Sequence, residues 1–205
     1  MKFSKTSSIL FVGGAVIVSA LAIGGVSPAL AGEQRSVRGD DLVPVLTASQ
    51  EQTDSASADK MDKSTAGHVD RSSLRIIAID EKATYSAGRD HSGREICLIV
   101  QTTSKEQAST AACIAVEKFV HSGLSAMASG SDPGTKVVAH LLPADVDTSS
   151  LASVAARTKS GSLHQVRPEG MKQLVIQHQE DDLPDVSRLP IRGGSNTFHL
   201  VRFPE

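Results

Sequence analysis

Tryptophan is absent from this chain of 205 residues, tyrosine occurs once and phenylalanine five times. Platforms that stack sugars or unpaired bases rely on Trp and Tyr, so carbohydrate binding and single-strand nucleic-acid binding lose their usual means. Cysteine is scarce as well, with only Cys97 and Cys113. Tetrahedral zinc would need two more ligands close by, and no cysteine remains to supply them. Their spacing is not the C-x-x-C of a redox pair. An excess of positive charge is also missing: the chain holds 21 Lys and Arg against 23 Asp and Glu, and the first 31 residues take two lysines and no acid, leaving 19 against 23, or −4. No basic surface for nucleic acid follows from that balance. There is no phosphate-binding glycine loop, no H-E-x-x-H or H-x-H pair and no repeat at solenoid period, so no cofactor and no metal is implied.

What is present begins with an export signal. Lys2 and Lys5 form a basic head, Ile9 to Val26 is uncharged and apolar, and Ala29-Leu30-Ala31 closes the segment after Pro28. That is the three-part layout of a secretory signal peptide over residues 1–31, with cleavage between Ala31 and Gly32. The apolar stretch is longer than the roughly 7 to 15 residues usual for a signal core, so a retained membrane anchor through residues 9–26 is the alternative. Either way residues 32–205 lie outside the cytoplasm, secreted or associated with the cell envelope.

Residues 32–72 are rich in Ser, Thr, Ala, Asp and Gln, with one apolar island, "LVPVL", from Leu42 to Leu46. So little apolar surface does not offset the entropy of ordering the segment, and the expectation is a disordered linker.

Residues 73–205 change character, with short apolar segments separated by turn residues. "LRIIAID" (74–80) and "EICLIVQT" (95–102) read as strands, the second covered on both faces. "ATYSAGRDHSG" (83–93) between them has the composition of a turn. Ser104 and Gln107 make a capping-box signal, and apolar residues from Ala108 to Val120 at helical spacing predict one helix that stops at Gly123. "KVVAHLL" (136–142), "SLHQV" (162–166), "MKQLVIQH" (171–178) and "NTFHLVRF" (196–203) complete the strands, with a long loop between the last two. "LASVAART" (151–158) fits a helical turn or a strand. The expected fold is a single small α+β domain, mainly antiparallel β, sandwich-like or an open sheet, with one helix.

Two thiols in an oxidising compartment pair by default when geometry allows, and a Cys97–Cys113 disulfide would stabilise the fold by about 3 kcal/mol in the chain-entropy model. The path expected between them leaves a strand and returns along the helix; a Cys113 on the wrong helix face would leave both thiols free. Seven histidines, His68, His91, His121, His140, His164, His178 and His199, are spread singly. His140, His178 and His199 fall in or at the ends of strands and would converge only if those strands are neighbours. "GLSAM" (123–127) has Gly123 and Ser125 but Met127 where a nucleophile elbow needs its second glycine, and fits the exit from a helix. Glu180, Asp181, Asp182 and Asp185 lack the alternating register of a calcium loop, and "RGGS" (192–195) has the composition of a turn.

The run "SAGRDHSGREICLIV", a second cysteine downstream, Gly123-Leu124 and "VVAHLLPADV" resemble a pattern in uncharacterised exported proteins of actinobacteria, covering roughly residues 83 to 146. Ser86-Ala87-Gly88-Arg89 lacks the proline of that pattern, and Pro143-Ala144-Asp145-Val146 lacks its final glycine. The resemblance implies a disulfide-bearing extracytoplasmic domain and no particular activity. The functional expectation is an exported, non-catalytic domain that binds a protein or envelope partner; the alternative is a small extracytoplasmic enzyme using His140, His178 or His199 with a carboxylate from Glu180 to Asp185.

Overall fold

A computed structural model describes residues 38–103, 108–130, 136–148, 164–165, 167, 170, 172–178, 188–191 and 197–199, all within the compact unit Ser36–Glu205. The expected signal segment (1–31), its cleavage site at Ala31–Gly32, and the segments 151–158, 180–185 and 192–195 lie outside the described residues.

The first sheet is a meander. Strands β1 (Val69–Ile79), β2 (Ala83–Asp90), β3 (Glu95–Thr102) and β4 (Ser109–Ala115) follow one another in antiparallel pairs, and β7 (His164–Gln165) joins the far side of β1, giving the order β4-β3-β2-β1-β7. A second sheet has the order β5-β6-β8, from β5 (Leu124–Ala128), β6 (Val137–Leu141) and β8 (Leu174–His178). Strands β9 (Arg188–Pro190) and β10 (Thr197–His199) pair with each other. The fold is mainly antiparallel β with few helices.

Strand periodicity divides β2 and β3 between two cores. Ala83, Tyr85 and Ala87 with Ile96, Leu98 and Val100 face the second sheet, where Leu124, Ala126, Val137, Ala139 and Leu141 meet them. On the opposite face Cys97, Ile99, Leu74 and Val69 pack against Ala58 and Met61. A third, smaller cluster of Leu142, Val146, Leu189 and Phe198, with Val175 against it, covers the outside of the second sheet.

The segment expected to be a disordered linker is structured from residue 38 onward. It forms α1 (Gly39–Leu42), a 3₁₀ turn (Pro44–Thr47), α2 (Gln52–Asp59) and α3 (Lys63–Ala66) before entering β1. The apolar island is the reason: Leu42, Val43, Val45 and Leu46 are buried in the main core, while Ala58 and Met61 close the other face of the same sheet. One arm thus covers both sides. Its anchor is Asp54, fully buried at 0% exposure. Asp54 accepts hydrogen bonds from the N–H of Ile76 at 2.7 Å and of Glu51 at 2.8 Å, and pairs with Arg167 Nη2 at 2.8 Å. Glu51 and Asp54 form a reciprocal capping box on α2. Gln173 Nε2 donates to the carbonyls of Leu42 and Leu142, at 2.6 and 2.8 Å.

Three further expectations change. The helix predicted through 108–123 is β4 for its first half and becomes α4 only over Val116–Ser122; pairing with β3 along the whole of β4 outweighs the helical propensity of its alanines. The turn predicted at 83–93 is mostly β2, where small residues serve close packing: a Cβ on Gly88 would come within 3.2 Å of Val69 Cγ1. The loop predicted before the last strand contains β9. Gly123 does stop the helix, with φ +57° and space so tight that a Cβ would lie 2.7 Å from the Leu141 carbonyl oxygen.

Candidate partner-binding edge

Cys97 and Cys113 form a disulfide. They sit directly opposite each other on β3 and β4, with Cα atoms 4.1 Å apart. The staple therefore joins neighbouring strands, not a strand and a returning helix. Such close Cα atoms mark a pair that exchanges no backbone hydrogen bonds. At the other end of the ladder, Val116 N–H donates to the Arg94 carbonyl at 3.1 Å, which sets the same alternation: even-numbered residues of β4 bond to β3, and odd-numbered ones turn their N–H and C=O groups outward.

β4 is the last strand of its sheet. The Ser109 carbonyl is covered, accepting from Thr65 Oγ1 at 3.3 Å. Asp62 fixes that end, bonded to the Ser109 hydroxyl at 2.6 Å; this bond first, and the Thr65 N–H second, hold the Asp62 carboxyl well below the usual carboxylate range. Beyond it, the N–H groups of Ala111, Cys113 and Ala115 and the carbonyls of Ala111 and Cys113 have no partner among the described residues. Every residue of the strand, "STAACIA", is partly exposed, uncharged and not proline. Edge strands are ordinarily protected by lysine, proline, a bulge or a covering element. This one carries none of those over 111–115.

Two hollows flank the edge. One, of about 320 Å³, is walled by Gly67, His68, Asp90, His91, Glu95, Ala111 and Cys113. The other, of about 910 Å³, lies at the β2–β3 turn and has charges of both signs, Arg38, Arg89 and Arg94 with Asp40, Asp90, Glu95 and Glu117; Arg89 is ion-paired with Asp40. Asp90 organises the turn. It accepts from Ser92 Oγ, from Ser92 N–H at 3.0 Å and from Glu95 N–H at 2.8 Å, and the Ser92 hydroxyl is the main reason that its carboxyl falls from 3.8 to about 2.

The three strand histidines fall at separate register positions. His140 is buried on β6 beside Ser125 of β5, its register partner, with Ser125 Oγ 2.6 Å from His140 Nδ1. "GLSAM" is the helix exit expected, Gly123 capping α4, and runs at once into β5 from Leu124. His178 lies opposite Val137, three positions along the sheet from the His140–Val175 pair, and His199 belongs to the β9–β10 pair opposite Arg188. His164 pairs with Ile79 and His121 is exposed on α4. His68 and His91 both line the smaller hollow. Sequence reasoning missed them, because residues 23 positions apart on two turns give no local signal. Among the described residues no group of three His, Cys, Asp or Glu is placed to hold a metal ion, and no helix is long and apolar enough to cross a membrane.

No protein-family model, no curated protein and no solved structure matches this chain.

Proposed function

We propose that this protein is an exported, non-catalytic binding module that takes an extended segment of a protein partner as an added strand beside β4. The observation that carries this reading is the row of outward N–H groups of Ala111, Cys113 and Ala115 and carbonyls of Ala111 and Cys113, without a partner among the described residues, on an uncharged strand. Strand addition derives affinity from main-chain hydrogen bonds and specificity from pockets for alternate side chains. The disulfide supports the reading twice. It is compatible with an oxidising, extracytoplasmic location, and it holds β4 in place before a partner arrives, which lowers the ordering cost of binding. A partner in the extracellular space or the envelope is supported by the resemblance to exported proteins of actinobacteria and by the signal segment, cleaved after Ala31 or retained through residues 9–26.

Amide hydrogen exchange is the direct test. The amides of Ala111, Cys113 and Ala115 are expected to exchange fast in the free protein, and to slow when a short strand-forming peptide is added. Protection of these amides in the free protein, or none in the presence of peptide, sinks the proposal. The intact mass of the native protein tests export: a soluble chain starting at Gly32 fits secretion, a full-length chain in membranes fits tethering. The enzymatic alternative now rests on the Ser125–His140 contact. Covalent labelling of Ser125 by a fluorophosphonate would favour it; no labelling is expected.

A further inference from the structure

We infer that the segment bound at β4 carries a basic side chain, lysine or arginine, at a position facing the disulfide side of the sheet. The inference rests on the strand-addition reading and specifies the partner's chemistry. Side chains of an added strand alternate between faces. Those on the face of Cys113 would stand beside Ala111, Cys113 and Ala115, of which the alanines are too small to block a long neighbour. Across β4, Glu95 is the register partner of Ala115 on β3, and with Asp90 it supplies the carboxylates of the 320 Å³ hollow. Among the described residues no lysine or arginine lines that hollow; Arg38, Arg89 and Arg94 line the other one, which Asp90 and Glu95 also border. Asp90 is committed to its charged form by the Ser92 hydroxyl and the turn amides. A four-carbon or guanidinium stem reaching over Ala115 brings its cation to Glu95 while its apolar part covers the alanines. A second copy of this chain fits less well. Antiparallel pairing of β4 with itself would bring only the uncharged residues of "STAACIA" to the hollow and add no cation beside Glu95.

The probes are capped seven-residue peptides of alternating threonine and valine with lysine, glutamine or glutamate at the centre, added to the native, disulfide-intact protein. The lysine peptide is expected to bind about fivefold more tightly than the glutamate peptide at low ionic strength, the scale of one exposed ion pair, with the preference shrinking in salt. Glu95→Gln is expected to narrow it below about twofold while leaving amide protection at Ala111 and Cys113 unchanged. Ala115→Pro is the edge control. Residue 115 already has φ −56°, compatible with proline, and its N–H bonds to nothing in β3, so the ring blocks docking without a lost bond. It is expected to abolish protection by all three peptides. Equal binding of the lysine and glutamate peptides, with protection intact, overturns the basic preference and spares strand addition. Absence of protection by every peptide overturns both. Self-association of the free protein with protected β4 amides would make the occupant a second copy and also overturn the inference. Glu95→Gln touches no backbone group and carries the test should Ala115→Pro fail to fold.

Discussion

Replacing Asp54 with asparagine should be among the most damaging single-atom-scale changes in this protein. The carboxylate is fully buried, and its ion-pair partner Arg167 is 5% exposed. It accepts from three donors, the N–H of Ile76, the N–H of Glu51 and Arg167 Nη2. An asparagine has a single acceptor oxygen, so at least one of those donors would face an NH₂ group. Breaking a buried pair by removing one charge costs about 3 to 5 kcal/mol; Arg167 keeps a second, exposed carboxylate, Glu51, at 3.2 Å, so we take the lower end, about 3 kcal/mol. A domain stable by about 5 to 15 kcal/mol survives that loss with little to spare. In urea, with a slope of about 2 kcal/mol per molar, the midpoint followed by circular dichroism should fall by about 1.5 M. Arg167→Met is expected to destabilise as well, and the Asp54→Asn/Arg167→Met double variant to lose clearly less than the sum, since the second change removes the orphaned charge. A cost under about 1 kcal/mol for Asp54→Asn, or strict additivity in the double variant, would refute the assignment of Asp54 as the anchor of the arm.

Val43→Ala should cost about 2 kcal/mol and lower the melting temperature by about 4 to 8 °C, whereas a residue in a disordered linker would give no change in calorimetry. Reducing the disulfide, or replacing Cys97 and Cys113 with alanine, should cost about 3 kcal/mol, read from urea titrations with and without a thiol reductant; a loss under about 1 kcal/mol would mean the β3–β4 pairing already constrains the unfolded chain. Asp90 has a folded pKa of about 2 against an ordinary 3.8, so its contribution is complete above about pH 4 and disappears as pH falls through about 2. Asp90→Asn should therefore be less stable than the native protein at pH 6 and equal to it near pH 2, and a stability gap that persists in acid would contradict the cause given for the shift. Gly123→Ala should destabilise by about 1 to 3 kcal/mol from its backbone conformation alone, more with the contact to the Leu141 oxygen; near-neutral melting would mean the turn relaxes.

The strand β3 was legible because "EICLIVQT" is apolar on both alternating faces, and both faces are covered, by the second sheet on one side and by Ala58 and Met61 on the other. The arm was not legible for a related reason. Counting apolar residues within 32–72 asks whether the segment can bury its own surface, whereas Leu42, Val43, Val45 and Leu46 bury theirs in a core supplied by strands that come later. β4 was misread because "STAACIA" has small residues at every position, so the two-residue alternation leaves no trace and the alanines satisfy a helical spacing equally well. The candidate site went unseen with it: an open edge can be recognised only once the strand that forms it is known. One signal was available. Two cysteines 16 positions apart, one of them in an uncharged run, are as compatible with facing strands as with a strand and a helix. His68, His91 and Glu95 meet only because α3 and the β2–β3 turn lie over the same end of the sheet.

The amino-terminal arm is held by residues near the other end of the chain: Asp54 by Arg167, and Leu42 by Gln173, contacts that span 113 and 131 positions. The β1–β4 meander, by contrast, pairs neighbours and can form as successive hairpins. The arm is made first and secured last. During synthesis the meander can assemble, and Ala58 and Met61 can dock on it, while Asp54 and the Leu42 carbonyl still lack Arg167 and Gln173. The interval between those two events is the period in which this protein is most open to aggregation or proteolysis, and its length is set by the roughly fifty residues that separate β4 from Arg167.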